Sequence, residues 1–345
     1  MKLDSKLHSW EDVKPLMRNK PVLLLGNGAS LAVWDKFQYS SLFDMACDTS
    51  KPLHLTREDR EVFRHLDDTR NFEQVLSSLA VAKRINQICD LETYRITERY
   101  ENIRNCLFSA VSEIHLPYAR LCDEVKQAIR AELGNYKFVF TTNYDLTLYW
   151  SYMDDDKKFK DYFWGNGVDN IFDPGNAVLF DDTTVIYYLH GALHLYKGRD
   201  HYTYKHVSSD TGASLLELIR RSKEIPLFIS EGSSRDKKAA ILDNNYLAFA
   251  YRRFCENRVP LVVFGQSLNE EYDNHIVEAI QRMRGYGKTT ATNVAKFAVA
   301  FSVYPGNDVR IVRFKARMME LFHDKQLHFF DSRTHPLGNP GLGVG

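Results

Sequence analysis

The sequence predicts an α/β fold: an open parallel sheet covered by helices, with a helical subdomain inserted into it. Three observations carry this reading. Short apolar runs recur along the chain and are continuous rather than alternating, as in strands buried on both faces. Segments of helical periodicity lie between many of these runs, which makes them βα units. Residues 56–133, between the first run and the second, read as helices alone.

In chain order, Val22-Leu23-Leu24-Leu25 is the first strand. In the helical stretch, Phe72, Val75, Leu76, Leu79 and Ala80 share one face, as do Ile103, Leu107, Ala110, Val111 and Ile114. After Pro117 a third stripe comprises Leu121, Val125, Ala128, Ile129 and Leu133, with Gly134 as its C′ cap. Phe138-Val139-Phe140 is the second strand. Residues 151–184 form the longest irregular segment, with Asp154-Asp155-Asp156, Tyr162-Phe163-Trp164-Gly165-Asn166-Gly167 and Asp173-Pro174-Gly175. Aromatics among turn formers suggest an ordered loop around a local cluster. Further strands are Val185-Ile186-Tyr187-Tyr188-Leu189, Leu227-Phe228-Ile229, Leu261-Val262-Val263-Phe264, residues 297–303 and Leu327-His328-Phe329-Phe330. The Gly- and Pro-rich end, residues 334–345, reads as a frayed tail. The division is therefore 1–55 with 134–333 as the sheet domain, 56–133 as the helical insertion, and 334–345 as a flexible tail.

Composition narrows the function. Of 345 residues 44% are hydrophobic, which rules out global disorder. Forty-five Lys and Arg balance forty-five Asp and Glu, so direct nucleic-acid binding is not supported by charge. No apolar run approaches the roughly 20 residues of a membrane span. The start, Met1-Lys2-Leu3-Asp4-Ser5-Lys6, has no signal-peptide core behind it, so a cytoplasmic location is expected. Cys47, Cys89, Cys106, Cys122 and Cys255 form no CxxC pair and read as small buried hydrophobes in a reducing compartment, with neither disulfide nor metal expected.

Five segments at strand ends carry candidate chemistry. Gly26-Asn27-Gly28-Ala29-Ser30 follows the first strand, where glycines admit a close ligand and free N–H groups suit a phosphate. A tight strand-to-helix turn explains it equally, and Leu31 stands where the dehydrogenase fingerprint has its third glycine. In Thr141-Thr142-Asn143-Tyr144-Asp145 an amide and a carboxylate can face one pocket, or either can cap the next helix. His190-Gly191 offers a base near neutrality, or a structural histidine, with His194 as a competing candidate. Gly265-Gln266-Ser267-Leu268 suits a ribose or phosphate, or is a loop whose Ser267 caps the helix bearing Ile276, Val277, Ile280 and Met283. Ile229-Ser230-Glu231-Gly232-Ser233-Ser234, with Arg235, Lys237 and Lys238 beyond, is a binding loop or a solvated helix start.

The joint order GNGAS, TTNYD, LHG and GQSL resembles the sirtuin catalytic domain, which has a glycine-alanine-glycine turn, a TQNxD segment, an HG pair and a GTSL segment. FQYSSLF after the first motif and SEGSSRDKKAAI before the last make the chain similar to the bacterial sirtuin-like branch related to NAD hydrolases of antiviral defence, a domain of unknown function. The resemblance runs from about Val22 to Ile276. It implies a Rossmann-like open parallel sheet. It further implies that Gly26, Gly28, Ala29 and Ser30 line the NAD diphosphate and adjacent ribose. Asn143 would hold the nicotinamide ribose and orient a water, and Asp145 would contact the carboxamide. His190 would be the ribose-hydroxyl base, and Gly265, Ser267 and Leu268 would cradle the adenosine end. Asn27 and Tyr144 depart from the family pattern, and the zinc ribbon and acyl-lysine groove of protein deacylases are missing.

The function so implied is zinc-independent hydrolysis of NAD to nicotinamide and ADP-ribose, in antiphage defence by NAD depletion. The alternatives are ADP-ribosyl or acyl transfer to protein, and a non-catalytic module that binds NAD or ADP-ribose and signals. Because unrestrained NAD loss would kill the host, a homo-oligomer or a separately encoded regulatory partner is expected.

Overall fold

The computed structural model describes residues 4–344 apart from 18–19, 154, 156, 164–169, 177–181, 199, 208–211, 223, 225, 230–233 and 286–295. Ten strands are present among them: β1 (Val22–Leu25), β2 (Phe138–Thr141), β3 (Phe159–Lys160), β4 (Thr184–Tyr188), β5 (Gly191–Lys197), β6 (Thr203–Lys205), β7 (Pro226–Phe228), β8 (Leu261–Phe264), β9 (Ala298–Val303) and β10 (Gln326–Asp331). Seven make one parallel sheet in the order β10-β9-β8-β1-β2-β4-β3, and β6-β5-β7 form a small antiparallel sheet. The fold is thus α/β and Rossmann-like. β1, β2, β4 and β8 are apolar along almost their whole length because helices cover both faces, as continuous apolarity predicts.

Register positions the site. Leu25 at the end of β1 is level with Thr141 of β2 on one side and Phe264 of β8 on the other, while Thr141 is level with Tyr188 of β4. The residues that follow these four strands therefore emerge at one edge of the sheet. Moreover, β1 leads to β2 on one side, whereas the strands from β8 onward build the opposite side. That reversal between β1 and β8 is a topological switch point, where open α/β sheets hold ligands.

Helices α1 (Trp10–Val13), α2 (Asn27–Val33) and α3 (Tyr39–Ala46) precede the insertion, which comprises α4 (Arg57–His65), α5 (Phe72–Ile88), α6 (Tyr94–Ile114) and α7 (Asp123–Leu133). Thr56 and Asp59 form a capping box on α4. The three expected stripes are buried save at their margins: Ala80 and Val111 are half-buried and Ala128 is exposed. Gly134 closes α7 in right-handed backbone, φ −62°, so it is no left-handed C′ cap. The remaining helices are α8 (Thr147–Tyr152), α9 (Gly212–Arg221), α10 (Ser234–Asp243), α11 (Asn245–Cys255), α12 (Glu270–Arg282) and α13 (Asp308–Leu321).

Several expectations are corrected. The run Leu227-Phe228-Ile229 does not join the parallel sheet: β7 pairs antiparallel with β5. In 151–184, α8 and β3 interrupt the expected loop. Its aromatic cluster is real, with Phe163 and Phe172 packed on Tyr246 at centroid distances of 4.9 and 5.2 Å. Asp154, Asp156 and residues 164–167 of that segment lie outside the described residues. Residues 334–344 are not a frayed end: His335, Leu337 and Leu342 are buried, and His335 Nε2 lies 2.9 Å from the Tyr136 hydroxyl. Of the cysteines only Cys106 is buried, its thiol pushed up to about 12 by that burial, while Cys89 and Cys122 are exposed.

Candidate active site

A cavity of about 420 Å³ opens at the carboxyl edge between β1, β2, β4 and β8, within the range of small-molecule sites. Asn27 and Gly28, Thr142 to Asp145, His190, and Gly265 to Ser267 form its floor. The insertion and its approach add an apolar wall of Phe37, Leu42, Phe72, Leu107 and Val111. Of the sequence-predicted residues, Gly28, Asn143, Asp145, His190, Gly265 and Ser267 line the cavity, whereas Gly26, Ala29, Ser30 and Leu268 do not.

The glycine turn is spent on its neighbour. Gly26 N–H donates to the Phe264 carbonyl and Gly28 N–H to the Gly265 carbonyl, each at 2.9 Å, and Ala29 N–H donates to the Gly26 carbonyl at 3.0 Å. The expectation that these amides face a phosphate is therefore corrected in this conformation. The glycines are required because two backbones touch: a Cβ on Gly28 would lie 2.6 Å from Gly265 Cα, and one on Gly265, at φ +69°, 2.7 Å from Ala29 N. Gly265→Ala is expected to cost about 2–5 kcal/mol, combining a left-handed backbone cost of roughly 1–2 with overpacking of roughly 1–3. Gly285→Ala, with nothing within 4 Å among the described residues, should stay within about 0.5 kcal/mol. Urea unfolding of the two variants measures the contrast.

Asn143 is fixed by chemistry that settles its orientation. The Gly26 carbonyl can only accept, so the Asn143 nitrogen faces it at 3.0 Å and also donates to Ser30 Oγ at 2.8 Å. Ser30 Oγ in turn donates to Asp145 Oδ2 at 2.5 Å. Buried Ser30 is thus a clasp between Asn143 and Asp145 rather than a nucleotide contact. Both Asn143 N–H groups being used, its Oδ1 is left as an acceptor. Asp145 also closes a turn at the start of α8, Oδ1 accepting from Thr147 N–H at 2.9 Å, while the N-cap position itself is Leu146, which has no side-chain cap. Behind it, His115 Nε2 accepts from Leu146 N–H at 2.7 Å. Burial holds His115 below the ordinary imidazole range, while the Asp145 charge acts in the opposite sense.

His190 sits in the turn between β4 and β5, with only 3% of its surface exposed. Gly191, at φ +84°, lets the chain pass the Leu227 carbonyl, which a Cβ would meet at 2.0 Å. Ile229 N–H pins the His190 carbonyl at 2.8 Å. Burial, with His275 and Lys237 nearby, holds the His190 imidazole well below its usual range, so it is neutral at pH 7. His194 is enclosed between the rings of Tyr149 and Tyr188, does not line the cavity, and its ring nitrogens have no partner among the described residues. That removes it as the competing base.

In the fourth segment, Asn269 and not Ser267 caps α12, its Oδ1 accepting from Glu271 N–H at 3.0 Å. Leu268 has φ +50°, a fully buried side chain, and a carbonyl that accepts from the Arg317 guanidinium, so it belongs to the core. Of the fifth segment, residues 230–233 lie outside the described residues and Ser234 begins α10. The residues that strand-end reasoning missed come from α12 and the insertion: Tyr272 and Asp273, at a kink in α12, and the apolar wall. Among the described residues no cluster of three or more His, Cys, Asp or Glu side chains is arranged to hold a metal, and no helix is long and apolar enough to cross a membrane.

Fold and site together define an open, doubly covered α/β protein with a crevice at its switch point. The chain belongs to the family described as a domain of unknown function, DUF4917, whose profile matches residues 23–337. No curated protein matches it.

Proposed function

We propose that the protein hydrolyses NAD at the bond between nicotinamide and ribose, giving nicotinamide and ADP-ribose. One observation supports this above the others: His190, Asn143 and Asp145, which the sirtuin resemblance names together, line one cavity with Gly265 and Ser267 although they are distant in sequence. The nicotinamide ring is already cationic and leaves as a neutral molecule when the C1′–N bond breaks. The ribose becomes oxocarbenium-like, one water adds at C1′, and one proton is released. The protein's work is orientation and charge stabilisation. Asn143 Oδ1, which has no hydrogen bond among the described residues, can accept from the attacking water or a ribose hydroxyl, and neutral His190 can take the proton. With the Gly26, Gly28 and Ala29 amides engaged, polar side chains that line the cavity, among them Asn27, Gln266 and Ser267, would meet the polar parts of the dinucleotide, the Asn27 amide also donating to the Phe37 carbonyl and that of Gln266 to Asp273. The resemblance supports a role in antiphage defence by NAD depletion, held in check by oligomerisation or a separately encoded partner.

The test is product analysis. Incubation with NAD should yield nicotinamide and ADP-ribose in equal amounts on chromatography. Label transferred to a polypeptide would instead identify a transferase, and calorimetric binding without turnover a signalling module. Neither binding nor turnover would refute the reading.

A further inference from the structure

We infer that His275 is the positioning residue of this site, fixing through its ring the tautomer in which His190 acts. The inference rests on the hydrolase reading for its chemistry but on separate geometry. His275 lies on α12, 1% exposed, with its Nε2 2.9 Å from His190 Nε2. Its Nδ1 is 3.0 Å from Ser234 Oγ, and its own backbone N–H donates to that oxygen at 2.7 Å. The Tyr251 hydroxyl donates to the His275 carbonyl at 2.8 Å. Ser234 and His190 therefore hold the two ring nitrogens, and Tyr251 holds the backbone behind them.

Two neutral imidazoles that meet nitrogen to nitrogen must divide the roles of donor and acceptor. His190 Nδ1 has no hydrogen bond among the described residues, and with Nε2 occupied it is the one ring nitrogen left for a substrate proton. For Nδ1 to be a base, its lone pair must be free, so the ring hydrogen of His190 sits on Nε2 and donates to His275 Nε2. His275 then carries its hydrogen on Nδ1 and donates it to Ser234 Oγ, whose two lone pairs receive the backbone N–H and the ring N–H of the same residue. The chain runs Ser234, His275, His190, each member setting the next. When His190 takes a proton at Nδ1, its Nε2–H bond to His275 becomes charge-assisted and strengthens. This is the logic by which an orienting partner fixes the ring of a base. The charged and titratable groups around His275 are Lys237 and Lys238 from α10, Tyr251 from α11, His190 from the β4–β5 turn, and Asp273 and Glu278 on its own helix.

The experiment uses the full chain, ¹⁵N-labelled at histidine. Native protein should show His190 protonated at Nε2, and His275→Ala should lose that fixed state. With NAD, His275→Ala should lower kcat about 10–100-fold with KM within about twofold, and shift the pH profile of kcat. His275→Gln, whose amide oxygen can accept from His190, should recover most of the rate and the tautomer. His190 protonated at Nδ1 in the native protein, or unchanged kcat and pH profile in His275→Ala, would overturn the inference. Because the tautomer is read without turnover, native protein that makes no nicotinamide yet shows Nε2–H would fault the hydrolase reading and leave the positioning role standing.

Discussion

His190→Ala is expected to slow nicotinamide release by about 10²–10⁴-fold while NAD still binds, the range typical for loss of a positioned acid or base. The expectation follows from where the side chain ends. His190 lines the cavity and contributes to the fold mainly through its carbonyl, which Ile229 N–H engages whatever the side chain. Truncation leaves the backbone turn at Gly191 intact and removes one ring contact, that with His275. Asn143→Ala is the less clean variant. It removes the acceptor Oδ1 but also releases the Gly26 carbonyl and Ser30 Oγ, so activity and local packing fall together. Steady-state kinetics with calorimetry on His190→Ala separates turnover from binding. Undiminished turnover in a correctly folded variant would remove His190 from the chemistry.

Much of this site is legible in the sequence, for a physical reason. Strands buried on both faces read as continuous apolar runs, and the polar segments that end them stand out by contrast. Register is not legible, since nothing in the run at 22–25 states that Leu25 lies level with Thr141 and Phe264. The three-residue run at 227–229 carries no mark of partner or direction, and it joins β5 rather than the large sheet. The glycine turn looks like a phosphate cradle until its amides are seen to pair with a loop more than two hundred positions away. His275 has no local signal: it stands beside Ile276 and Val277 on a buried face, where a histidine and an apolar residue look alike. Composition predicted fraying after 334, yet His335 is enclosed by Trp10, Phe264, Phe330 and Tyr136, partners from all along the chain. Local rules therefore give elements and their chemically unusual ends, whereas partners remote in sequence decide what those ends do.

Mild acid is expected to destabilise the protein steeply, through buried histidines whose neutral form the fold favours. His115, His190, His194, His275 and His335 are each at most 3% exposed. Burial is the leading cause that holds all of them below the ordinary imidazole range, to about 3 for His275 and His335. In the unfolded chain each accepts a proton near pH 6.5. The unfolded state then binds more protons than the folded one, so this stability is present above about pH 6.5 and is lost as pH falls. Each such histidine contributes a slope of up to about 1.4 kcal/mol per pH unit, and for His275 and His335 the loss continues towards pH 3. Against a total of about 5–15 kcal/mol, the combined slope takes up a large share of the stability in acid. Glu132 opposes this: burial raises its carboxyl, so its own contribution is lost as pH rises rather than as it falls. His194→Phe isolates one proton. The ring nitrogens of His194 have no partner among the described residues, and the ring stacks on Tyr149 with centroids 4.5 Å apart. Phenylalanine keeps the shape and takes up no proton. Urea midpoints at pH 7.5, 6.5 and 5.5 should fall steeply for the native chain and less so for His194→Phe, with the gap widening as the solution is acidified. Midpoints that stay level across that range would show that these rings take up protons equally in the folded and unfolded chain, and an identical fall in the variant would show the same for His194.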